Sequence, residues 1–285
     1  MAGNLPTTHL LKSSVATAAL ALLMHSGITT QAAAQAGVFE VIDPENAKGE
    51  VEIEVLSGIG LSDVEEGDER SEHEIAIGYG VTDFWKFTFA AEVGNPRGES
   101  PELEGFQLES LLILPFFGGD HDDEGGKESA AHKHGGDDDD DDDHGGFTLG
   151  LFSALEIPRE GGISEGAFEI GPVFEAGLGP LNWVGNLLVE VPFEDDADAG
   201  LAYASQVVFP VNDFIGVGFE NFGEFEGLFG GGDEQEHVAG PAIYFEYELP
   251  NGNELEPRAA VLFGLNDESP DAVFSFNLEY KFGTQ

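Results

Sequence analysis

Cysteine is absent from this 285-residue chain. Its absence excludes a disulfide framework, a thiolate metal site and a cysteine nucleophile. Positive charge is scarce: ten Lys and Arg face 56 Asp and Glu, for a formal net charge of −46. A chain so negative repels phosphate backbones, so nucleic acid is excluded as a partner. Long apolar runs are missing too. No segment approaches the roughly 18–20 uninterrupted apolar residues that a transmembrane helix needs. Disorder throughout is also excluded, because 41% of the residues are hydrophobic and 11% aromatic, too much to leave solvated. The 40 glycines and 23 phenylalanines point instead to an all-β protein.

The chain opens with a polar stretch carrying His9 and Lys12, then an apolar run from Val15 to Met24, then a small-residue stretch ending Ala34-Gln35-Ala36. That is the three-part pattern of a secretory signal peptide, with an A-x-A site and cleavage expected before Gly37. The sequence therefore predicts a signal peptide at 1–36 and an exported chain at 37–285.

From residue 51 onward the pattern has period two. Val51, Ile53 and Val55 alternate with Glu50, Glu52 and Glu54. Ile75, Ile77 and Tyr79 alternate with Glu74, Ala76 and Gly78. Trp85, Phe87 and Phe89 alternate with Lys86, Thr88 and Ala90. Such segments recur to a twelfth, Phe274 to Phe282, and each runs to about 9–12 residues, the length of a tilted strand crossing a bilayer. Soluble strands are typically about half as long. Short connections (Thr82-Asp83, 178–180, 210–213 and Pro250-Asn251-Gly252-Asn253) alternate with longer polar ones, as the two ends of an outer-membrane barrel do. One connection departs from this order. The long stretch from Pro115 to Gly146 falls, by parity, on the side of the short turns.

The expected fold is a transmembrane antiparallel up-and-down β-barrel of about twelve strands, in the outer membrane of a Gram-negative type of cell. Apolar side chains face lipid and polar ones the lumen. The alternating aromatics that end in Tyr280-Lys281-Phe282 resemble the C-terminal signature of such barrels, which implies the barrel-assembly machinery as a partner. Here Gly283-Thr284-Gln285 follow the phenylalanine. The hairpin Glu72 to Glu92, with Gly78-Tyr79-Gly80-Val81-Thr82-Asp83-Phe84-Trp85 at its turn, resembles the putative phenol-degradation-pathway (MetA-type) outer-membrane family. That resemblance implies transport of small hydrophobic or aromatic compounds, and no catalytic residues.

The insert at 118–146 holds twelve acids between residues 120 and 144, and four of the chain's eight histidines. Its composition cannot form a core and predicts a disordered segment. His121, His132, His134 and His144, with Asp120, Asp122, Asp137 and Asp143, are candidate ligands for weakly held divalent cations. Carboxylates suit Ca²⁺ and imidazoles suit Zn²⁺, Ni²⁺ or Cu²⁺. No complete calcium loop is present: the loop begun at Asp120 has Ala131 where a bidentate Glu is required. The bland alternative is a solvated acidic linker. No cofactor is required.

The polar parity of the strands is rich in carboxylates: Glu52, Glu54, Glu74, Glu92, Glu169, Glu175, Glu190, Glu246, Glu248 and Glu279, joined by Glu256. Its cations are Lys86, Arg258 and Lys281. An acidic lumen attracts cations, as carboxylate rings do in channels. Excess acid can equally reflect a salty habitat, and a small barrel can be filled by its own side chains.

Catalytic motifs fail on context. Gly162-Ile163-Ser164-Glu165-Gly166 matches G-x-S-x-G, yet a strand rather than a helix follows it. Ser71-Glu72-His73 reverses the His-x-Ser order of twelve-stranded outer-membrane phospholipases and lacks a third member. The expected function is passive transport of small ions or small molecules, channel-like, with outer-membrane lipid as the surroundings. The alternatives are uptake of hydrophobic or aromatic compounds, and a non-conducting structural or metal-binding surface barrel. No enzyme is expected.

Overall fold

The computed structural model describes residues 38–61, 69–96, 100–115, 146–160, 162–194, 198–225, 235–267 and 269–282. The predicted signal peptide and the candidate metal ligands of the insert lie outside the described residues.

The strands are β1 (Val51–Gly60), β2 (Glu69–Thr82), β3 (Trp85–Pro96), β4 (Glu102–Ile113), β5 (Phe147–Pro158), β6 (Ala167–Leu178), β7 (Leu181–Pro192), β8 (Gly200–Asn212), β9 (Ile215–Phe225), β10 (Gln235–Phe245), the two-residue β11 (Tyr247–Glu248), β12 (Glu254–Gly264) and β13 (Ala272–Phe282). Each long strand pairs antiparallel with its neighbours in sequence. Two further seams close the ring. β1 pairs with β13, Val51 opposite Phe282, and β10 pairs with β12, Ile243 opposite Ala259. β11 continues the course of β10 after a break at Glu246, so the wall is a closed barrel of twelve staves. Closure leaves no sheet edge, which is the condition for a sheet to sit in lipid.

Burial alternates as the period-two pattern requires. On β1, Glu52, Glu54 and Leu56 are buried while Ile53 is exposed. On β2, Glu74 and Ala76 are buried while Ile75, Ile77 and Tyr79 are exposed. The exposed apolar residues continue around the wall through Phe87, Phe89, Leu112, Leu151, Ile170, Leu187, Val217, Phe219, Ile243 and Phe263. A belt of this kind is far larger than the apolar patches that water tolerates.

At the rim of the short turns the belt turns aromatic, with Tyr79, Phe84, Trp85, Trp183, Phe209, Phe214 and Tyr247 all exposed. Trp85 Nε1 donates to Ser110 Oγ at 3.0 Å, and Trp183 Nε1 to Ser205 Oγ at 2.9 Å. Both serines lie on the same outer face of the next strand, so neither indole N–H goes unpaired on a surface that offers no water. Towards the opposite rim, outward polar groups satisfy one another: His73 Nδ1 is 3.0 Å from Ser57 Oγ, and Asn95 Nδ2 donates to Ser71 Oγ at 3.4 Å.

The short turns are tight. In Leu249 to Asn253, Gly252 takes φ +75°, a conformation that favours glycine. Its N–H bonds Leu249 O at 2.8 Å, and Leu249 N–H bonds Asn253 O at 2.7 Å. The flanks of the long acidic connection stand at this same rim. Ile113 N–H bonds Phe84 O at 2.9 Å, and Gly177 N–H bonds Gly146 O at 2.9 Å.

Candidate functional site

The inward-facing parity builds a lumen with two different walls. One wall, from β1 to β3 with β13 and the Glu254–Arg258 end of β12, is charged. Lys86 Nζ lies 3.1 and 3.0 Å from the two oxygens of Glu52. Lys281 Nζ lies 3.0 Å from Glu256 Oε1 and 3.2 Å from Glu279 Oε1. Asn277 Nδ2 donates to Glu54 Oε1 at 2.6 Å. The predicted lumen residues Glu52, Glu54, Glu74, Glu92, Glu169, Glu175, Glu190 and Glu279 all fall on the inward parity and none is exposed. Glu246 and Glu248 do not join them. They lie past the end of β10, where the strand breaks, and are exposed at the short-turn rim.

The other wall is apolar at its waist. Leu111, Phe152, Ala154, Val173 and Leu188 form one buried cluster. Val184, Phe222, Val238, Ala242, Ala260 and Leu262 form a second. These side chains point inward, yet they are not hydrated, because a stretch of the chain itself covers them. Val41 belongs to the second cluster, with Phe39 packed against it, and Ile42 packs on the first. Residues 38–48 therefore run through the lumen, a placement that the period-two reading missed.

The segment is rooted at the short-turn rim. Gly49 N–H bonds Gly80 O at 2.7 Å, Gly80 N–H bonds Glu50 O at 3.0 Å, and Lys48 N–H bonds Asp83 Oδ1 at 3.3 Å. Asn46 Nδ2 donates to Thr82 O. A side chain at Gly80 would put its Cβ 1.9 Å from Ala47 O, so only glycine allows this close passage.

Further in, Asn186 holds Ile42 in a two-way grip. Its Oδ1 accepts from Ile42 N–H at 2.8 Å and its Nδ2 donates to Ile42 O at 2.8 Å. Arg258 Nη2 donates to Phe39 O at 3.1 Å and to Ser275 Oγ at 2.7 Å. Its Nε lies 3.1 Å from Oε1 of the fully buried Glu220, which also accepts from Tyr244 O–H at 2.6 Å. Phe39 stacks obliquely on Phe222, with ring centroids 5.1 Å apart. Val38 N–H bonds Glu72 Oε2 at 3.1 Å.

A cavity of 460 Å³ is lined in part by Val38, Phe39, Glu40 and Ile42 of the segment. Its lining includes Glu40, Glu72, Glu74, Glu92, Glu156 and Glu169 around a floor of Phe39, Ile42, Phe152, Leu188 and Phe222, and no Lys or Arg. Sequence reasoning named three of those glutamates, Glu74, Glu92 and Glu169. It missed Glu40, Glu72 and Glu156, and with them Glu109 and the buried Glu220. β4, β5 and β9 carry apolar groups on both parities, which masks the alternation that makes inward acids legible.

The sequence motifs weighed for catalysis acquire no catalytic geometry. Gly162–Glu165 is a 3₁₀ turn between β5 and β6, not an elbow between strand and helix. His73 meets Ser57, not Ser71. Among the described residues, no group of three or more His, Asp or Glu is arranged to hold a metal ion.

A closed antiparallel barrel with an apolar outer belt, aromatic rim and polar-lined interior is a membrane-spanning β-barrel. Solved structures of similar fold are porins and related barrels. The KdgM porin, solved in complex with disordered oligogalacturonate, aligns over 83% of this chain and 99% of its own, at 8% identity and a TM-score of 0.48. The NanC porin aligns over 81% and 100%, at 9% identity and a TM-score of 0.46. The outer membrane protein Omp33 of Acinetobacter baumannii aligns over 84% and 100%, at 10% identity and a TM-score of 0.41. No protein-family model matches the chain, and no curated protein matches it.

Proposed function

We propose that this barrel is an outer-membrane channel for the passive passage of small solutes, with a preference for cations. The observation that carries the reading is the charge of the inward face. Its described cations are Lys86, Arg258 and Lys281, each held by glutamate, and the glutamates outnumber them several-fold. Carboxylates gathered in a confined space raise the local concentration of cations and exclude anions. On this reading the short-turn rim faces the periplasm, where turns of such barrels are short, and the exported chain arrives there after loss of its signal peptide.

The test is the reversal potential of the purified protein in a planar bilayer under a KCl gradient. A potential on the cation side supports the reading. A potential at zero or on the anion side refutes it. A second reading, uptake of small hydrophobic or aromatic compounds, draws on the apolar floor of the 460 Å³ cavity and on the hairpin resemblance. Competition of aromatic acids or amines with the ionic current separates the two. A divalent-gathering role for the insert is tested by deleting 118–146. Unchanged Zn²⁺ or Ca²⁺ binding would remove it.

A further inference from the structure

The apolar wall poses a question that a cation channel alone does not answer. A water-filled passage has no use for Leu111, Phe152, Val173, Val184, Leu188, Val238 and Leu262 turned inward. Each of these is nearly or fully buried, and Phe39, Val41 and Ile42 pack into the two clusters together with Ile113, Ala202, Ala204 and Tyr244 of the wall. The lumen waist is a built seat for the chain's own N-terminal segment.

The attachment of that segment differs from that of the wall. Neighbouring strands are joined by ladders of many paired residues, unbroken between β1 and β2, β4 and β5, and β7 and β8. Residues 38–48 form no strand. The backbone-to-backbone bonds that root the segment are those of the following residues, Gly49 and Glu50, with Gly80. Beyond this root, the polar ties that hold Val38, Phe39 and Ile42 come from the side chains of Glu72, Arg258 and Asn186. Ties of this kind release locally, without opening any seam of the barrel. The waist that the segment leaves behind is apolar and poorly hydrated, which favours its return.

We propose that residues 38–48 are a displaceable plug, seated in the lumen by Asn186, Arg258 and the apolar wall, and that its release opens the channel. The proposal rests on the channel reading above. It assigns to the N-terminal segment the part of gate, and to the long strands the part of a fixed wall.

The experiment compares four states of the full-length exported protein in planar bilayers. The first is the wild type and the second a deletion of 39–46. The third and fourth carry Phe39→Cys with Phe222→Cys, before and after bridging by a short bis-methanethiosulfonate that reduction releases. The chain has no other cysteine, so only this pair reacts. The deletion is expected to raise mean current by about tenfold or more, as a population shift from closed to open requires. Bridging is expected to abolish openings, and reduction to restore them.

If wild type and deletion conduct alike and bridging changes nothing, ions pass the segment freely. The plug is then overturned while the channel reading stands. If every state is silent, both fall. If the deletion fails to assemble, the bridged pair still decides: current unchanged by bridging overturns the plug, and reversible silencing supports it.

Discussion

The two walls of the lumen carry different kinds of side chain, and each kind implies a different neighbour. On the charged wall, Lys86 and Lys281 are shared among Glu52, Glu256 and Glu279, and more carboxylates remain than those lysines can balance. Such a surface calls for mobile cations. On the apolar wall, Val184, Leu188, Val238 and Leu262 offer nothing to an ion. Such a surface calls for a solid, apolar partner, and the chain supplies one in Phe39, Val41 and Ile42. A lumen is therefore not defined by its most conspicuous residues. On the proposed channel reading, the carboxylates set what is attracted and the aliphatic residues set what fills the space.

The largest effect is expected where the walls meet. Arg258 bridges fully buried Glu220, Ser275 and the backbone of Phe39. Arg258→Met leaves Glu220 buried without its cation and should cost about 3–5 kcal/mol, read as a lowered urea midpoint of the folded barrel in lipid vesicles. The double variant Arg258→Met with Glu220→Gln should recover much of the loss, because no uncompensated charge is then buried. A double variant as unstable as the single one would show that the arginine acts through packing instead.

Next comes the apolar wall. Ile42→Asp places a carboxylate among Leu111, Phe152, Val173 and Leu188. A buried unpaired charge is avoided by whatever motion is cheapest, and here that motion is withdrawal of the segment. Mean current should rise towards that of the 39–46 deletion, while the urea midpoint of the wall stays near wild type. A lowered midpoint with unchanged current would mean that segment and wall are one cooperative unit.

The unequal legibility of the two walls has a physical cause. Lipid demands apolar residues at every second position, so the outer belt, the strand lengths and the closed barrel can be read from segments such as 74–81 and 85–93. The charged wall is legible for the same reason: Glu52, Glu54 and Glu74 alternate cleanly with Val51, Ile53 and Ile75. The apolar wall is hidden because Leu111 adjoins Leu112, Leu151 adjoins Phe152, and Leu187 adjoins Leu188, which leaves no polar parity to read. Residues 38–48 follow no period. Their partners are remote: Asn186 lies 144 residues from Ile42, and Arg258 lies 219 from Phe39. No local pattern encodes contacts of that range. Glu246 and Glu248 stand at the rim, where the alternation runs on through the break at Glu246 into the exposed two-residue β11.

On the charged wall, Glu54→Gln, Glu74→Gln and Glu279→Gln together should weaken cation preference with little loss of stability. These three face the lumen, and neutralising them relieves like-charge crowding. In the 39–46 deletion, where the path is open, the reversal potential should move towards zero under a KCl gradient. An unmoved potential would place the selective constriction elsewhere, among Glu92, Glu156 and Glu169.

The smallest effect sharpens the comparison most, because it concerns a polar residue set within the apolar wall. Asn186 is buried between Val184 and Leu188, and it satisfies both the N–H and the C=O of Ile42. Asn186→Leu suits the wall but leaves two backbone groups of the segment unpaired, at about 1–3 kcal/mol for a buried polar group. Asn186→Asp keeps an acceptor for the N–H and sets a carboxylate against the Ile42 carbonyl. Both variants should raise open probability, and Asp should do so more, because the wall around it cannot solvate the charge. If Leu seats the segment as well as Asn does, the aliphatic contacts of Val41 and Ile42 suffice to hold it. The two-way grip would then set only its register, and a shifted bridging yield of the Phe39→Cys and Phe222→Cys pair would report that shift.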